Sequence, residues 1–321
     1  MVNPSNILEV NDLCKNYKER KAVDNLTFHI KRGEIFGLLG PNGAGKTTTL
    51  SMLVGILKPL SGTIYLEGER FNGSPQSRSI LGIAPQELAI YPKLTGRENL
   101  RFFGSLYRLS GAELDRRTEE ILSLVGLSDR ADNLTEEYSG GMKRRLNLAA
   151  GLMHNPKLLL LDEPTVGIDP QSRNHIFEGV RRLNKEGLSI LYTSHYMEEV
   201  EALCHRVGIM DGGRLVACDT VPNLISTAGN AVVVVTLGEE ASDAQIQELR
   251  SLPGVVDIEC MRTDEPIGSS LLRVHALEPD RLLSSLVSRL NSSGLSLLSL
   301  TVQRPTLEDV FLSLTGKSLR D

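Results

Sequence analysis

The chain has 321 residues, which is long enough for one large and one small domain. Its apolar content of 40% is ordinary for a globular protein, and its formal net charge of −5 disfavours nucleic acid as a partner. Its apolar runs have the length of strands, far below the roughly 18 residues that cross a bilayer, and the N-terminal segment lacks signal-peptide features. With four scattered cysteines, these properties predict a cytosolic protein with reduced thiols.

The first 60 residues lead into a glycine-rich turn. Alternating apolar and polar residues over 7–36 predict antiparallel strands. The segment GEIFGLL, residues 33–39, predicts a further strand, and the apolar residues of 50–57 recur at helical spacing. The stretch GPNGAGKTTTL, residues 40–50, therefore connects a strand to a helix.

This strand–loop–helix setting is the one that a phosphate-binding loop requires. The glycines let the backbone wrap an anion, because they have no Cβ and tolerate a positive φ. Lys46 adds charge for the β- and γ-phosphates, the Thr47 hydroxyl is placed to hold Mg²⁺, and Thr48 adds a phosphate contact. A glycine-rich turn with an incidental lysine does not explain the whole string. The predicted triphosphate-binding residues of the loop are Gly40, Asn42, Gly43, Gly45, Lys46, Thr47 and Thr48.

Strands and helices alternate in the segment that follows the loop. Short strands are predicted at 62–68 and 80–86, and amphipathic segments predict a helical insert over about 95–155. Strand character then resumes. The predicted strands and the hairpin of this later part lie at residues 157–164, 189–195 and 207–219.

A change of pattern after residue 220 divides the chain. The segment TVPNLISTAGN, residues 220–230, is rich in turn-forming residues and marks a boundary. We therefore predict a first domain at 1–222 and a second domain at 230–316. The element order of the second domain, β-α-β-β-α-β, is that of a ferredoxin-like sandwich. The segment TLEDVFLSLTG, residues 306–316, predicts a closing helix.

Two carboxylates follow the strand of four leucines at 158–161. A wholly apolar strand is buried on both faces, as in a parallel sheet, and the carboxyl ends of such strands are where ligands bind. Asp162 is placed to hold Mg²⁺ directly or through water. Glu163 points elsewhere and is placed to polarise an attacking water. The alternative is a solvated acidic strand end.

A second anion-binding turn precedes the basic helix of the insert. Ser139, Gly140 and Gly141 place a hydroxyl and backbone N–H groups at a helix N-terminus. Two phosphate sites on one chain are explained if two copies meet head to tail, so that the loop of one copy faces this turn of the other across a shared ATP. The alternative is a flexible turn that starts a helix.

Four further residues are candidates for the same site. Gln86 ends a predicted strand and offers an amide to Mg²⁺ or to the attacking water. His195 ends a strand that should adjoin the carboxylate strand, which favours a γ-phosphate contact over a structural role. Asp169 caps the helix that starts near Pro170, bridges two subunits, or does both. Tyr17 stacks on a purine or packs at a strand end.

Together these motifs resemble those of an ABC-type ATPase subunit. The matching motifs, in chain order, are the aromatic Tyr17, the Walker A loop GPNGAGKTT, the Q-loop residue Gln86, the signature YSGGM, the Walker B segment LLLLDEP, the D-loop VGID and the switch histidine His195. The signature departs from the general LSGGQ and the D-loop from the commoner SGLD. Both keep the chemical groups, and the variants resemble the ABC-2 type exporter branch for drugs and polysaccharides.

The resemblance implies a P-loop α/β fold with a RecA-like core, an antiparallel β subdomain and a helical subdomain, followed by the small C-terminal α+β domain. It also implies that MgATP binds between two subunits, with a homodimer favoured, and that hydrolysis drives a separate integral membrane permease. The permease would dock near Gln86 and residues 91–107, at the cytoplasmic face of the cell membrane. The alternatives are a soluble ABC-type ATPase of translation or DNA repair and an importer ATPase. The sequence does not specify the cargo.

Overall fold

A computed structural model describes residues 3–263 and 269–316 of the chain. Residues 1–2 and 264–268, which belong to the two predicted domains, lie outside the described residues. The chain forms two compact units, one of Met1–Val221 with Leu314–Asp321 and the other of Pro222–Ser313. None of the helices in the described ranges combines the length and the apolar content that a bilayer-crossing helix needs.

The first unit contains two sheets, seven α-helices and two short 3-10 helices within its described part. Its strands are β1 (Asn6–Tyr17), β2 (Arg20–Lys31), β3 (Ile35–Leu39), β4 (Ser61–Leu66), β5 (Glu69–Arg70), β6 (Leu81–Ala84), β7 (Leu158–Asp162), β8 (Ser189–Ser194), β9 (Arg206–Asp211) and β10 (Arg214–Thr220). Its helices are α1 (Lys46–Leu53), α2 (Pro75–Arg78), α3 (Gly96–Leu106), α4 (Gly111–Leu124), α5 (Gly140–Ala150), α6 (Pro170–Lys185) and α7 (Met197–Leu203).

The six-stranded sheet of this unit sets the positions of the chemical groups. Its strand order is β10-β9-β3-β8-β7-β6, and β3, β6, β7, β8 and β9 run parallel. Each residue of β3, β7 and β8 is buried, because helices cover both faces of the sheet. The predicted adjacency of the carboxylate strand β7 and the histidine strand β8 is confirmed. The carboxyl ends of the five parallel strands lie at the same edge of the sheet.

A smaller antiparallel sheet and a helical insert complete the first unit. The sheet has the order β2-β1-β4-β5, which confirms the predicted antiparallel strands before the loop. Helices α3, α4 and α5 lie in the predicted insert. The first of them begins with a capping box, in which Thr95 and Glu98 satisfy each other's backbone N–H groups.

The second unit has the predicted ferredoxin-like order. Its elements are β11 (Ala231–Leu237), α9 (Asp243–Arg250), β12 (Val255–Thr263), β13 (Ser269–Ala276), α10 (Pro279–Ser292) and β14 (Leu297–Gln303), followed by α11 (Leu307–Thr315). The sheet order β12-β13-β11-β14 is antiparallel throughout. The helix α10 buries Leu282, Leu286 and Leu290, which recur every four residues and lie on one face.

The predicted boundary segment contains a helix. This helix, α8 (Val221–Thr227), lies within residues 220–230, and Pro222 is its second residue. Proline is tolerated in the first turn of a helix, where its missing N–H has no intrahelical partner to lose.

Candidate functional site

The glycine-rich loop connects β3 to α1 as predicted, and its glycines are required for two different reasons. Gly43 and Gly45 have φ values of +80° and +107°, which side chains rarely adopt. Gly40 has no positive φ, but a Cβ there would lie 2.3 Å from the backbone oxygen of Met210 on β9. Conformation therefore explains the second and third glycines, whereas close packing against the neighbouring strand explains the first.

Lys46 lies inside the loop rather than in solvent. Its side chain is 4% exposed, and Nζ donates to the backbone oxygens of Gly40 and Pro41 at 2.6 and 3.1 Å. Nζ also lies 3.0 Å from Oε1 of Glu163. Because a buried charge is costly without partners, these three oxygens hold the ammonium group at the loop.

Glu163 is the residue on which the predicted side chains converge. It follows β7 with a positive φ of 45°, and its N–H contacts the backbone oxygen and the hydroxyl of Thr193. The amide Nε2 of Gln86 lies 3.4 Å from Oε2 of Glu163. Nδ1 of His195 lies 3.2 Å from the same oxygen, although the angle does not suit a hydrogen bond. Lys46, Gln86 and His195 therefore surround one carboxylate.

Asp162 and Thr47 form a group of oxygen ligands beside that cluster. The carboxylate of Asp162 accepts hydrogen bonds from the hydroxyls of Thr193, at 2.7 Å, and of Thr47. Burial raises the pKa of Asp162, and the two hydroxyl donors oppose that rise. Hard oxygen ligands suit Mg²⁺, and a few protein oxygens suffice when phosphate oxygens complete the shell. In the described ranges, no group of three or more His, Cys, Asp or Glu side chains forms a metal cage.

A cavity of about 380 Å³ surrounds the loop. It is lined by Tyr17, Arg20 and Ala22 at the β1–β2 hairpin, by loop residues that include Asn42, Thr47 and Thr48, and by Gln86 and Glu163. Tyr17 is half exposed at its rim. Arg20 was not predicted; its Nη2 donates to the backbone oxygen of Gly43. The only signal for Arg20 in the sequence is its position directly after the two-residue turn that follows Tyr17.

A larger cavity, of about 690 Å³, lies elsewhere in the first unit. Its walls include Ile121 and Leu124 of α4 and Leu183 of α6, and none of the predicted nucleotide-binding residues lines it. The smaller cavity is the candidate site, because charged and polar groups converge there on the phosphate loop.

The serine–glycine turn lies apart from this cavity within one chain. Ser139 is the N-cap of α5 and accepts from the N–H of Met142 at 3.3 Å. Ser139 and Gly140 are exposed, and none of the three turn residues lines the cavity around the loop. Gly141 is buried against α6, since a Cβ there would lie 2.0 Å from the Ser172 hydroxyl.

Asp169 caps α6, which confirms that part of its predicted role. Its carboxylate accepts from the N–H of Ser172 at 2.9 Å, and this bond lowers the pKa of Asp169. Ser172 is also the residue that contacts Gly141. The D-loop and the signature turn therefore meet at one serine.

Glu199 is a buried carboxylate that sequence reasoning missed. It is 1% exposed, and its Oε2 accepts from the hydroxyls of Thr165, Tyr192 and Ser194 at 2.8 to 2.9 Å. Burial and this carboxylate raise the pKa of Tyr192. Through these hydrogen bonds, Glu199 links the segment after Glu163 to the strand that precedes His195. Nothing in the sequence separates it from its exposed neighbour Glu198.

A phosphate loop between strand and helix, with its lysine paired to a glutamate at the carboxyl edge of a parallel sheet, defines a P-loop nucleotide-binding protein. Residues 23–166 match the ABC transporter family. The chain is 44% identical over 316 residues to the linearmycin resistance ATP-binding protein LnrL of Bacillus subtilis, covering 98% of this chain and 100% of that protein. It is 40% identical over 317 residues to a Nod factor export ATP-binding protein I of Cupriavidus pinatubonensis, covering 98% and 92%.

A solved structure also resembles the first part of the chain. It is the dimeric post-hydrolysis state of the ATP-binding cassette MJ0796 bound to ADP and Pi, with a TM-score of 0.61, 26% identity, and coverage of 66% of this chain and 98% of that one. The chain therefore belongs to the ABC transporter family as an ATP-binding subunit with ATPase activity. The predicted family, fold class and resemblance to exporter ATPases are confirmed.

Gly45→Ala is expected to weaken nucleotide binding at the loop. The change forces a methyl group into a positive φ, which costs about 1–3 kcal/mol, and places that group 2.4 Å from the backbone oxygen of Ala22. We expect ATP affinity to fall more than about tenfold in isothermal titration calorimetry. Gly68→Ala is the matched control, because Gly68 also has a positive φ but faces open space. Wild-type ATP affinity of the Gly45 variant would contradict this account of the loop.

Glu199→Ala is expected to destabilise the first unit. It leaves three buried hydroxyls without their acceptor, at a cost of about 2–4 kcal/mol in the free energy of unfolding. Glu199→Gln keeps an acceptor and should lose less. Urea unfolding followed by circular dichroism measures both, with the exposed Glu198→Ala as the control. Equal midpoints for the two alanine variants would show that the hydroxyl cluster contributes nothing.

Proposed function

We propose that two copies of this chain bind MgATP between them, head to tail, and that ATP hydrolysis there energises a separate integral membrane permease of an exporter. One observation carries the proposal. The phosphate loop with its surrounding side chains and the serine–glycine turn are both present on the chain, yet Ser139 and Gly140 of the turn are exposed and the turn lies outside the loop's cavity. A second copy would bring its own turn to the ATP held by the first.

The side chains around the loop suit hydrolysis of the terminal phosphate. Glu163 is the proposed base for the attacking water, since its carboxylate lies 3.0 Å from the lysine that would pair with the phosphates. His195 and Gln86 flank that carboxylate and would position the water and the γ-phosphate. Bound ATP would give Lys46 phosphate oxygens in place of its present partners. This exchange would free Glu163 to accept a proton.

Magnesium fits the oxygen ligands beside the loop. Thr47 and Asp162, with Gln86 from the end of β6, would hold the ion together with phosphate oxygens. When bound, magnesium would neutralise charge on the phosphates. Tyr17 at the rim of the cavity would stack on the adenine, and Asp169 would contact the second subunit while it caps α6.

Several observations support a homodimeric exporter ATPase. The chain carries Lys46, Ser139 and Glu163 together, so two identical copies would form two complete sites. The related cassette was solved as a dimer with ADP and Pi. Relatives that align along nearly the whole chain act in linearmycin resistance and Nod factor export, which favours export over import, translation or DNA repair. The ATPase would act at the cytoplasmic face of the membrane, bound to its permease.

An aromatic surface formed by Tyr91 and by residues at and next to the end of α3 is the proposed permease contact. Tyr91 packs against Phe102 with ring centroids 4.9 Å apart, and Phe102 against Phe103 at 5.5 Å. Tyr91, Phe102, Leu106 and Tyr107 are exposed. The buried Asn99 fixes Tyr91 by two backbone hydrogen bonds, so the surface is held in place close to Gln86 along the chain. An exposed apolar patch of this kind is typical of a protein-binding surface.

Complementation between two inactive variants tests the shared site. Glu163→Gln should bind ATP but lose at least about 100-fold in turnover, because its amide cannot accept a proton. Gly140→Asp should repel the phosphates bound to the mate's loop, and it should fold, because a Cβ there faces open space. In a mixed dimer one site combines the intact loop of the second variant with the intact turn of the first.

Mixing the two variants should therefore restore up to about a quarter of wild-type phosphate release, since half of the dimers are mixed and each has one intact site. The Glu163→Gln variant mixed with itself at the same total concentration is the control. No recovery on mixing, or full activity of the Gly140 variant alone, would contradict the shared site.

Loss of the aromatic side chains of Tyr91 and Phe102 should weaken binding to the permease. Tyr91→Ser combined with Phe102→Ser should reduce co-flotation with membrane vesicles that contain the permease by about tenfold, while ATPase activity without vesicles stays unchanged. Val216→Ser is a matched control, because Val216 is 38% exposed, as is Phe102, but lies on β10 at the opposite edge of the sheet from β6. Equal flotation of both variants would exclude this surface.

A further inference from the structure

Two side chains of the signature helix α5 form hydrogen bonds with main-chain segments that contact Glu163. Arg144 and Asn147 are three residues apart and lie on one face of the helix. We call this pair the α5 strut. Asn147 is 3% exposed; its Nδ2 donates to the backbone oxygen of Pro85 at 3.0 Å, and its Oδ1 accepts from the N–H of Ala89 at 2.9 Å.

Arg144 forms hydrogen bonds with two separate segments. Its guanidinium donates to the backbone oxygen of Gln86 and, at 3.3 Å, to that of Val166. Gln86 contacts the carboxylate of Glu163, and the N–H of Val166 contacts the backbone oxygen of Glu163. The strut therefore forms hydrogen bonds with two segments that contact Glu163: the segment around Gln86 and the residues that follow Glu163 in the chain.

The same helix begins with the exposed serine–glycine turn. Arg144 follows Gly140 by four residues, which is about 6 Å along the helix axis. By the proposed shared site, the first turn of α5 contacts phosphate. One turn later, the same helix is hydrogen-bonded to the segments beside Glu163. Because a helix is rigid, a movement at one end also moves the other end. Because the turn serves the mate's ATP, the two ends of α5 belong to two different sites.

The guanidinium of Arg144 is suited to link two backbone segments and does not act as a solvated surface charge. Burial lowers the pKa of its guanidinium, and the nearby carboxylate of Glu163 opposes that shift. A planar guanidinium can donate to two carbonyl oxygens at once, whereas the single ammonium group of lysine on a flexible stem cannot reproduce this geometry.

We propose that Arg144 and Asn147 are positioning residues that couple the two ATP sites of the dimer. ATP contacted by the serine–glycine turn orders α5, and the strut then aligns Gln86 and Glu163 for the ATP held by the same chain's loop. The inference rests on the proposed shared site. It makes hydrolysis depend cooperatively on ATP concentration, with a Hill coefficient above 1.

Arg144→Lys tests the strut in the full-length protein. We expect the turnover number to fall about tenfold and the Hill coefficient to approach 1, while the affinity for a fluorescent ATP analogue changes less than about twofold. Asn147→Ser, which shortens the second contact, should change the Hill coefficient in the same direction. Steady-state phosphate release against ATP concentration measures turnover and cooperativity, and calorimetry measures the melting temperature.

Arg145→Lys is the matched control. Arg145 is the next residue of α5, burial lowers the pKa of its guanidinium too, and it also bridges two backbone oxygens, those of Val125 and Gly126. Those oxygens lie at the end of α4, away from the cavity. This variant should lose melting temperature as Arg144→Lys does, but keep the wild-type turnover number and Hill coefficient.

Three outcomes would overturn the coupling. They are wild-type turnover and cooperativity in Arg144→Lys, equal kinetic losses in Arg145→Lys, and a Hill coefficient of 1 for the wild-type protein. ATP-dependent dimerisation of Glu163→Gln, followed by size-exclusion chromatography, separates these outcomes from failure of the shared site, because it needs the serine–glycine turn but no hydrolysis. If adding Gly140→Asp to Glu163→Gln abolishes that dimerisation and the strut variants behave as wild type, only the strut proposal is wrong.

Discussion

The contact between Lys46 and Glu163 is the interaction on which the site depends. Both side chains are buried, so each charge needs the other, and the backbone oxygens of Gly40 and Pro41 supply the remaining partners of the lysine. The two residues follow β3 and β7, which are separated by β8 in the sheet. They can meet only because these strands are parallel and end at one edge, where His195 follows the strand between them.

Much of this arrangement could be predicted from local sequence. The string around Lys46 and the carboxylates after four leucines each require a particular setting, and that setting indicated parallel strands with ligands at their carboxyl ends. The order β-α-β-β-α-β likewise predicted the topology of the second unit. These predictions succeeded because the hydrophobic period and the turn residues agree over short stretches of chain.

Contacts between distant segments could not be predicted in the same way. Glu199 gathers hydroxyls from three places, and in sequence it is one of two adjacent glutamates. Arg20 reaches the phosphate loop from a hairpin tip. Gly40 is needed because a neighbouring strand passes close to it. Each depends on which segments become neighbours in the fold, and the local sequence pattern carries little information on that.

In the proposed dimer, the position of the serine–glycine turn explains why one chain carries two helix starts that suit a phosphate group. A helix N-terminus that faces solvent contributes nothing to the loop of its own chain, and the buried glycine of the turn, Gly141, packs on Ser172 of α6. Asp169 caps that same helix, so the turn and the D-loop are one rigid corner. A rigid corner with an exposed serine and glycine suits the proposed contact with ATP on a second subunit. In that proposal, the hydrogen bonds from α5 to the segments beside Glu163 couple this contact to hydrolysis of the chain's own ATP.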